Sequence, residues 1–257
     1  MPTARFVSTH PRFDAIISDI DGCLGPESHA PLNADALAKL AAHNHRAVSS
    51  GDQPIITLCS GRPLPYAEAI ARLLGNSLLP VVCEMGVWLY DPRSNEFLRD
   101  PAIKPEHLAW VRDATTFIES DLAPRGIVIQ PGKSASLSLY HPDTPTLMAI
   151  KPTLESRFAR EGWGFRISNT VKWINCDLTF ISKATGIKRL CEMCGLSKTR
   201  LAGIGDTMGD MAIREQVAWF ACPQNAEPGL KPSADFVAQG HDVDGVLEIV
   251  ETASKLR

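Results

Sequence analysis

The chain has 257 residues, 44% of them hydrophobic and 21% charged, with a formal net charge of −3. That is room for one large domain or two modest ones at ordinary globular composition. The charge leaves no basic footprint for nucleic acid or an anionic membrane. No run approaches the roughly 18 apolar residues of a membrane span, and Met1 to Phe13, with Arg5 and Arg12, has no signal-like apolar stretch. Seven scattered cysteines, an odd number, point to reduced thiols in the cytoplasm rather than a disulfide framework.

Phe13 to Ser18 reads as a strand, and it runs into Asp19-Ile20-Asp21-Gly22. Alternate residues of a strand share a face, so the two carboxylates can point the same way, while Gly22 lets the chain turn. Neighbouring carboxylates repel unless a proton or cation relieves them, and Mg²⁺ pairs carboxylates with a substrate phosphate. By itself the tetrapeptide also fits an acidic turn.

Asn33 caps a helix over Ala34 to Ala42. His43 and His45 have no ligand partner at recognisable spacing and read as surface residues. Pro54 to Cys59 is the next strand, ending at Ser60-Gly61-Arg62, and Pro65 to Leu74 is a helix closed by Gly75. Leu79 to Cys83 is a third strand. This rhythm predicts a Rossmann-like parallel sheet with helices on both faces.

The pattern changes between Val87 and Asp177. A helix over Glu106 to Ser120 is followed by strand-like Gly126 to Gln130 and Ser134 to Tyr140. A helix over Pro145 to Arg160 then precedes Gly164 to Ser168 and Val171 to Cys176, a hairpin around Asn169-Thr170. The expectation is an inserted α+β domain with an antiparallel sheet, 87–177, between core segments 1–86 and 178–257. Alternation resumes with a helix from Lys183 to Cys194, strand Arg200 to Ile204, helix Gly209 to Val217 and strand Trp219 to Cys222. Cys191 and Cys194 fall at helical spacing with Ile187 and Leu190, which favours buried thiols over redox or metal chemistry.

A second acidic cluster follows the strand ending at Ile204: Gly205-Asp206-Thr207-Met208-Gly209-Asp210. Ligands of open parallel sheets bind at the strand C-termini, where Asp19, Asp21, Ser60, Asp206 and Asp210 should converge. Lys183 begins a helix, a mildly unfavourable place for a cation, so an anionic partner is expected there.

In this order the residues resemble the haloacid dehalogenase superfamily of phosphotransferases. Asp19-Ile20-Asp21-Gly22 matches its nucleophile motif, Ser60-Gly61-Arg62 its second, Lys183 its third and Gly205-Asp206-x-x-x-Asp210 its fourth. Pro223-Gln224-Asn225-Ala226-Glu227 and Ala234-Asp235-Phe236-Val237 are similar to its C-terminal pattern. The insert resembles the type IIB cap of the Cof-like group, which includes sucrose-phosphate, mannosyl-phosphoglycerate and phosphoglycolate phosphatases. Two departures stand out: Gly209 where Asn is common, and Glu84-Met85-Gly86 at the place of a frequent Asn-Gly pair.

The resemblance implies a Mg²⁺-dependent phosphatase of a small phosphorylated metabolite, such as a sugar phosphate or a phosphoglycolate-like acid. Asp19 would form an aspartyl-phosphate, and Asp21 would serve as general acid and then base. Ser60, with Gly61, would hold the phosphoryl group, Arg62 would either support the phosphate edge or form a salt bridge, and Lys183 would offset the charge. Asp19, the Asp21 carbonyl, Asp206 and Asp210 would hold or orient the metal. In the insert Lys133, Ser134, Ser136, Asn169 and Lys172 are candidates to meet substrate, Lys133 and Lys172 foremost, with a plain solvated surface position the alternative reading for each, whereas Trp163 and Trp173 read as core. A phosphomutase, or a non-catalytic metabolite-binding module on the same fold, is the alternative. The sequence leaves the oligomeric state open.

Overall fold

The computed structural model describes residues 9–10, 12–27, 29–170 and 172–257; Arg5 and Val171 lie outside them. The chain divides into two compact units, one running to Leu98 and resuming over Lys183–Arg257, the other Arg99–Ser182. The boundaries expected at 87 and 177 therefore move to 99 and 182. The reason is local: the two strands after Gly86 pair back onto the first unit.

In that unit β1 (Ala15–Ser18) is wholly buried, as a central parallel strand covered on both faces must be. Helix α1 (Ala34–Ser50) starts where Asn33 Oδ1 accepts from the Ala36 N–H at 3.1 Å. It runs eight residues past the expected end, because His43, Asn44 and Ala47 extend its buried stripe. His43 is thus not a surface residue: its ring contacts the Pro54 carbonyl at 2.9 Å. Strand β2 (Ile55–Leu58) and helix α2 (Leu64–Leu73) follow.

β3 (Val81–Cys83) is not paired with β2; it meets the chain just past the end of β2 at an isolated Cys59–Val82 bridge. The buried Asn44 amide explains why, since it takes both the Ile56 N–H (2.8 Å) and the Ile56 carbonyl (3.0 Å). A side chain thereby closes that part of the strand edge. β3 pairs instead with β4 (Trp88–Asp91), and β5 (Glu96–Arg99) completes a three-stranded sheet.

In the second unit α3 (Pro105–Phe117) is prolonged by one wide turn over Ile118–Leu122. Strands β6 (Val128–Ile129) and β7 (Ser136–Tyr140) come next. Two helices, α4 (Thr144–Ala149) and α5 (Lys151–Glu161), replace the one expected. Pro152 lies in the first turn of α5 and cannot donate to the preceding helix. β8 (Phe165–Asn169) and β9 (Trp173–Leu178) close an antiparallel sheet of order β6-β7-β9-β8. Leu137, Leu139, Ile174 and Cys176 form one core with Phe117, Leu147, Leu154 and Phe158 from the helices.

Back in the first unit are α6 (Lys183–Cys194), β10 (Leu201–Ile204), the short α7 (Met211–Arg214), β11 (Trp219–Cys222), β12 (Phe236–Val237) and α8 (Asp242–Lys255). The parallel sheet has the order β12-β11-β10-β1-β2. β1 lies between β2 and β10, with Ser18 in register with Ile204 and Leu58. All three of these strands therefore end at one level. The helix expected over Gly209–Val217 is instead a tight turn over Met208–Asp210 followed by the four residues of α7. All seven cysteines are free. Among the described residues no helix is long and apolar enough to cross a membrane.

Candidate active site

Asp19 is the first residue beyond β1, and its N–H still bonds to the Ile204 carbonyl at 3.0 Å. The chain then wraps around the Ile20 carbonyl, which accepts from Cys23 (3.2 Å), Leu24 (2.8 Å) and Gly25 (3.1 Å). Gly22 has φ +71° and lies so close to Asp206 that a Cβ there would stand 1.9 Å from Asp206 Oδ2. Only glycine permits both the turn and this approach. Just beyond the neighbouring strand β10, Gly205 is constrained by space alone, because a Cβ would meet Asp210 Cβ at 2.3 Å.

Three buried carboxylates meet at this level. Asp19, Asp206 and Asp210 each offer an oxygen within 4.8 Å of the others. Lys183, itself buried, lies between two of them, with Nζ 2.7 Å from Asp19 Oδ2 and 2.6 Å from Asp210 Oδ1. The second Asp210 oxygen accepts from the N–H groups of Asp206 and Thr207, both at 3.0 Å, and from Thr207 Oγ1 at 3.2 Å. Thr207 thus supplies a side-chain bond despite Gly209.

One ammonium cannot balance three carboxylates. Burial, opposed by Lys183 and reinforced by Asp210 and Asp21, lifts Asp19 to about 7. Burial followed by Asp210 and Asp19 lifts Asp206 further, to about 9. Lys183 resists the desolvation that would neutralise it, because Asp19 and Asp210 hold its proton. Burial and then Asp206 keep the Cys23 thiol protonated as well. Its Sγ is 4.0 Å from Asp206 Oδ1. The excess charge is about −2 when all three acids are ionised, and the donors are hard oxygens, so the set fits a divalent cation of the Mg²⁺ kind.

The Asp21 carboxylate is not in this cluster. It is half-buried and gripped by Arg62, whose Nε lies 2.7 Å from Oδ2 and 3.0 Å from Oδ1. The guanidinium also sits 4.9 Å over the Tyr66 ring. Ser60 is buried beyond β2; its Oγ accepts the Arg62 N–H at 3.2 Å, and its carbonyl accepts the Met85 N–H at 3.0 Å. Gly61 lies against Met85, whose Sδ would be 3.3 Å from a Cβ placed there. Glu84 and Met85 both take positive φ, +49° and +59°.

A family model described as haloacid dehalogenase-like hydrolase matches residues 142–250. A phosphoglycolate phosphatase of Sulfolobus acidocaldarius is 35% identical over 237 residues, covering 92% of this chain and 94% of that protein. The chain belongs to the haloacid dehalogenase-like hydrolases. That alignment places it among the family's phosphatases. Another phosphoglycolate phosphatase, from Methanothrix thermoacetophila, is 35% identical over only 71 residues, or 28% of this chain and 32% of its own length. A Thermoplasma acidophilum structure shares the fold, with TM-score 0.72 and 22% identity over 95% of this chain and 100% of that one.

Within the second unit of this hydrolase, Lys133 Nζ donates to Ser138 Oγ at 2.5 Å, and Ser138 in turn donates to Asn175 Oδ1 at 2.5 Å. Ser136 is buried one pleat away, paired in register with Asp177. Lys172 is exposed, and Asn169 Oδ1 accepts from Lys151 Nζ at 2.9 Å. Trp163 tilts on Phe158 at 5.3 Å and Trp173 on Tyr140 at 5.3 Å, both in packing roles. Sequence reasoning assigned no role to Thr207 or to the pair Asn225 and Glu227. The latter two stand in the quoted C-terminal pattern, which was the available signal.

Proposed function

We propose that this phosphatase is a Mg²⁺-dependent phosphomonoesterase that works through an aspartyl-phosphate and takes a small phosphorylated acid of the phosphoglycolate type. The observation that carries the reading is the single buried ammonium of Lys183 shared by Asp19 and Asp210 beside a third buried carboxylate. Asp19, Asp206, Asp210 and the Asp21 carbonyl would hold the cation or orient its waters. Bound there, it would supply positive charge to the phosphoryl oxygens.

Asp19 attacks phosphorus and splits hydrolysis into two displacements. The carboxyl proton of Asp21 goes to the leaving oxygen in the first, and the carboxylate takes one from water in the second. Arg62 holds that carboxylate in place through its fork and, with Gly61, lines the phosphoryl end. The Ser60 hydroxyl bonds a phosphoryl oxygen, and Lys183 offsets the charge gathered on Asp19 and the phosphate. Arg99–Ser182 is the cap that selects the substrate, with Lys133 and Lys172 as cations for its acidic end. The name of the Sulfolobus relative supports a phosphoglycolate-like substrate, and seven free thiols suit the cytoplasm.

Inorganic phosphate release tests the reading across 2-phosphoglycolate, several sugar phosphates and p-nitrophenyl phosphate, with Mg²⁺ and with excess chelator. The highest kcat/KM should fall on phosphoglycolate, and only with the metal. Turnover in excess chelator overturns the metal dependence, and preference for a sugar phosphate overturns the substrate class.

A further inference from the structure

Two loops supply the carboxylate cluster, the one after β1 and the one after β10, and a third segment touches both. It is the turn Pro223–Glu227 that follows β11. Asn225 Nδ2 donates to the Gly22 carbonyl at 2.8 Å, while its Oδ1 accepts the Asp242 N–H at 2.7 Å. Two residues on, Glu227 Oε2 accepts the Met208 N–H at 2.7 Å, and the Glu227 N–H donates to the Asp206 carbonyl, also at 2.7 Å. One short turn therefore grips the nucleophile loop at Gly22 and the acidic loop at Asp206 and Met208. These are the loops that approach most closely where Gly22 meets the Asp206 carboxylate.

We propose that Asn225 and Glu227 are positioning residues that fix the spacing of the Asp19 and Asp206 carboxylates and so set the affinity for the divalent cation. The inference rests on the metal-dependent reading above. The side-chain chemistry is specific. An amide serves a carbonyl and an N–H at once, whereas a carboxylate in the same place serves only the N–H and repels the carbonyl. At Glu227 the requirement is an acceptor oxygen, not a charge, because its partner is a backbone N–H. Groups that orient metal ligands commonly carry about 10- to 100-fold in metal affinity or activity.

The test is calorimetric titration of Mg²⁺ into the full-length wild type and four variants, with melting temperatures recorded beside it. Asn225→Ala, Asn225→Asp and Glu227→Ala should each raise the Mg²⁺ Kd about tenfold or more. Glu227→Gln, which keeps the acceptor, should stay near wild type. The Mg²⁺ concentration for half-maximal activity should rise in the same three variants, with a smaller change in kcat at saturating metal. Asn225→Asp decides the matter if the alanine variants fold poorly, because it keeps the bond to Asp242 at the start of α8 and loses only the one to Gly22. Wild-type affinity in Asn225→Asp would assign Asn225 to supporting α8 and overturn the proposal. A wild type that binds no Mg²⁺ overturns both the metal site and its positioning. Normal wild-type binding with unchanged variants overturns the positioning alone.

Discussion

Gly22 and Asp206 are 184 residues apart in sequence, yet a single methyl group on Gly22 would collide with the Asp206 carboxylate, at 1.9 Å from Oδ2 and 2.4 Å from Cγ. The backbone of the loop after β1 is thus the surface on which the loop after β10 rests. Gly22→Ala adds that methyl group at a residue with φ +71°. The left-handed backbone should cost about 1–2 kcal/mol of stability. The displaced Asp206 should weaken Mg²⁺ binding about tenfold or more. Denaturant unfolding and calorimetric titration read the two effects separately. Intact metal affinity in a folded variant would show that Asp206 is not needed where it stands.

Asp19 and Asp21, one residue apart, live in different surroundings and should fail differently. Asp19 is buried against Lys183, whereas Asp21 is half-exposed in the fork of Arg62. Asp19→Asn should abolish covalent phosphorylation, since an amide is neither a nucleophile nor a good metal ligand. Asp21→Asn should slow protonation of the leaving group and attack by water. With a good leaving group such as p-nitrophenolate, the phosphorylated protein should then accumulate and be visible by intact-mass spectrometry. Near wild-type turnover by Asp19→Asn would remove Asp19 as nucleophile.

The pH dependence follows from two raised acids. Asp19 is lifted to about 7 and Asp206 to about 9, in both cases chiefly by burial, against about 3.9 in an unfolded chain. Between those limits the folded, metal-free protein binds more protons than the unfolded one. Its stability is therefore greatest below pH ~4 as far as these groups go, and falls as pH rises through about 7 and then 9. A cation competes with the same protons, so Mg²⁺ affinity should increase from pH 6 to pH 9. Thermal melts with and without Mg²⁺ should diverge more at pH 8 than at pH 6. Equal divergence at the two pH values would show that these carboxylates do not bind the ion.

The carboxylates were legible because each ends an apolar run: Asp19 follows β1 and Asp206 lies two residues beyond β10. A run of buried strand residues followed by acid and glycine marks a strand end in any parallel sheet. What stayed hidden depends on partners distant in sequence. The grip of Arg62 on Asp21 spans 41 residues, and that of Asn225 on Gly22 spans 203. β3 leaves the main sheet because the Asn44 amide occupies Ile56, a fact invisible to periodicity. α8 was not predicted although Val243, Val246, Ile249, Val250 and Ala253 repeat at helical spacing on its buried face.

Met85 occupies a position where the usual residue would be better suited to the backbone. Its φ of +59° and ψ of 11° put a long aliphatic side chain in the left-handed region, which asparagine tolerates far better. Met85→Asn should relieve up to about 1 kcal/mol of backbone strain, raising Tm by roughly 2–4 °C for a chain of this size. Differential scanning calorimetry measures it. An unchanged or lower Tm would mean that the thioether packed against Gly61 contributes as much as the strain costs.

Lys133 and Lys172 test whether the second unit reads the acidic end of the proposed substrate. Their settings differ: Lys133 is tethered to Ser138, which is tethered to Asn175, whereas the Lys172 side chain is exposed beside the Asn169-Thr170 turn. A lysine already held by a hydrogen-bonded serine loses less side-chain freedom on meeting an anion than one free in solvent. Lys133→Ala should therefore reduce kcat/KM for 2-phosphoglycolate more than Lys172→Ala does. Neither should much affect p-nitrophenyl phosphate, which has no carboxylate to read. The diagnostic quantity is the ratio of the two kcat/KM values, because a general loss of folded protein cancels from it. Lys133→Met, which keeps most of the aliphatic volume, separates the charge from the packing. An unchanged ratio in the Lys133 variants would exclude that ammonium from substrate selection and leave the choice of substrate to other residues.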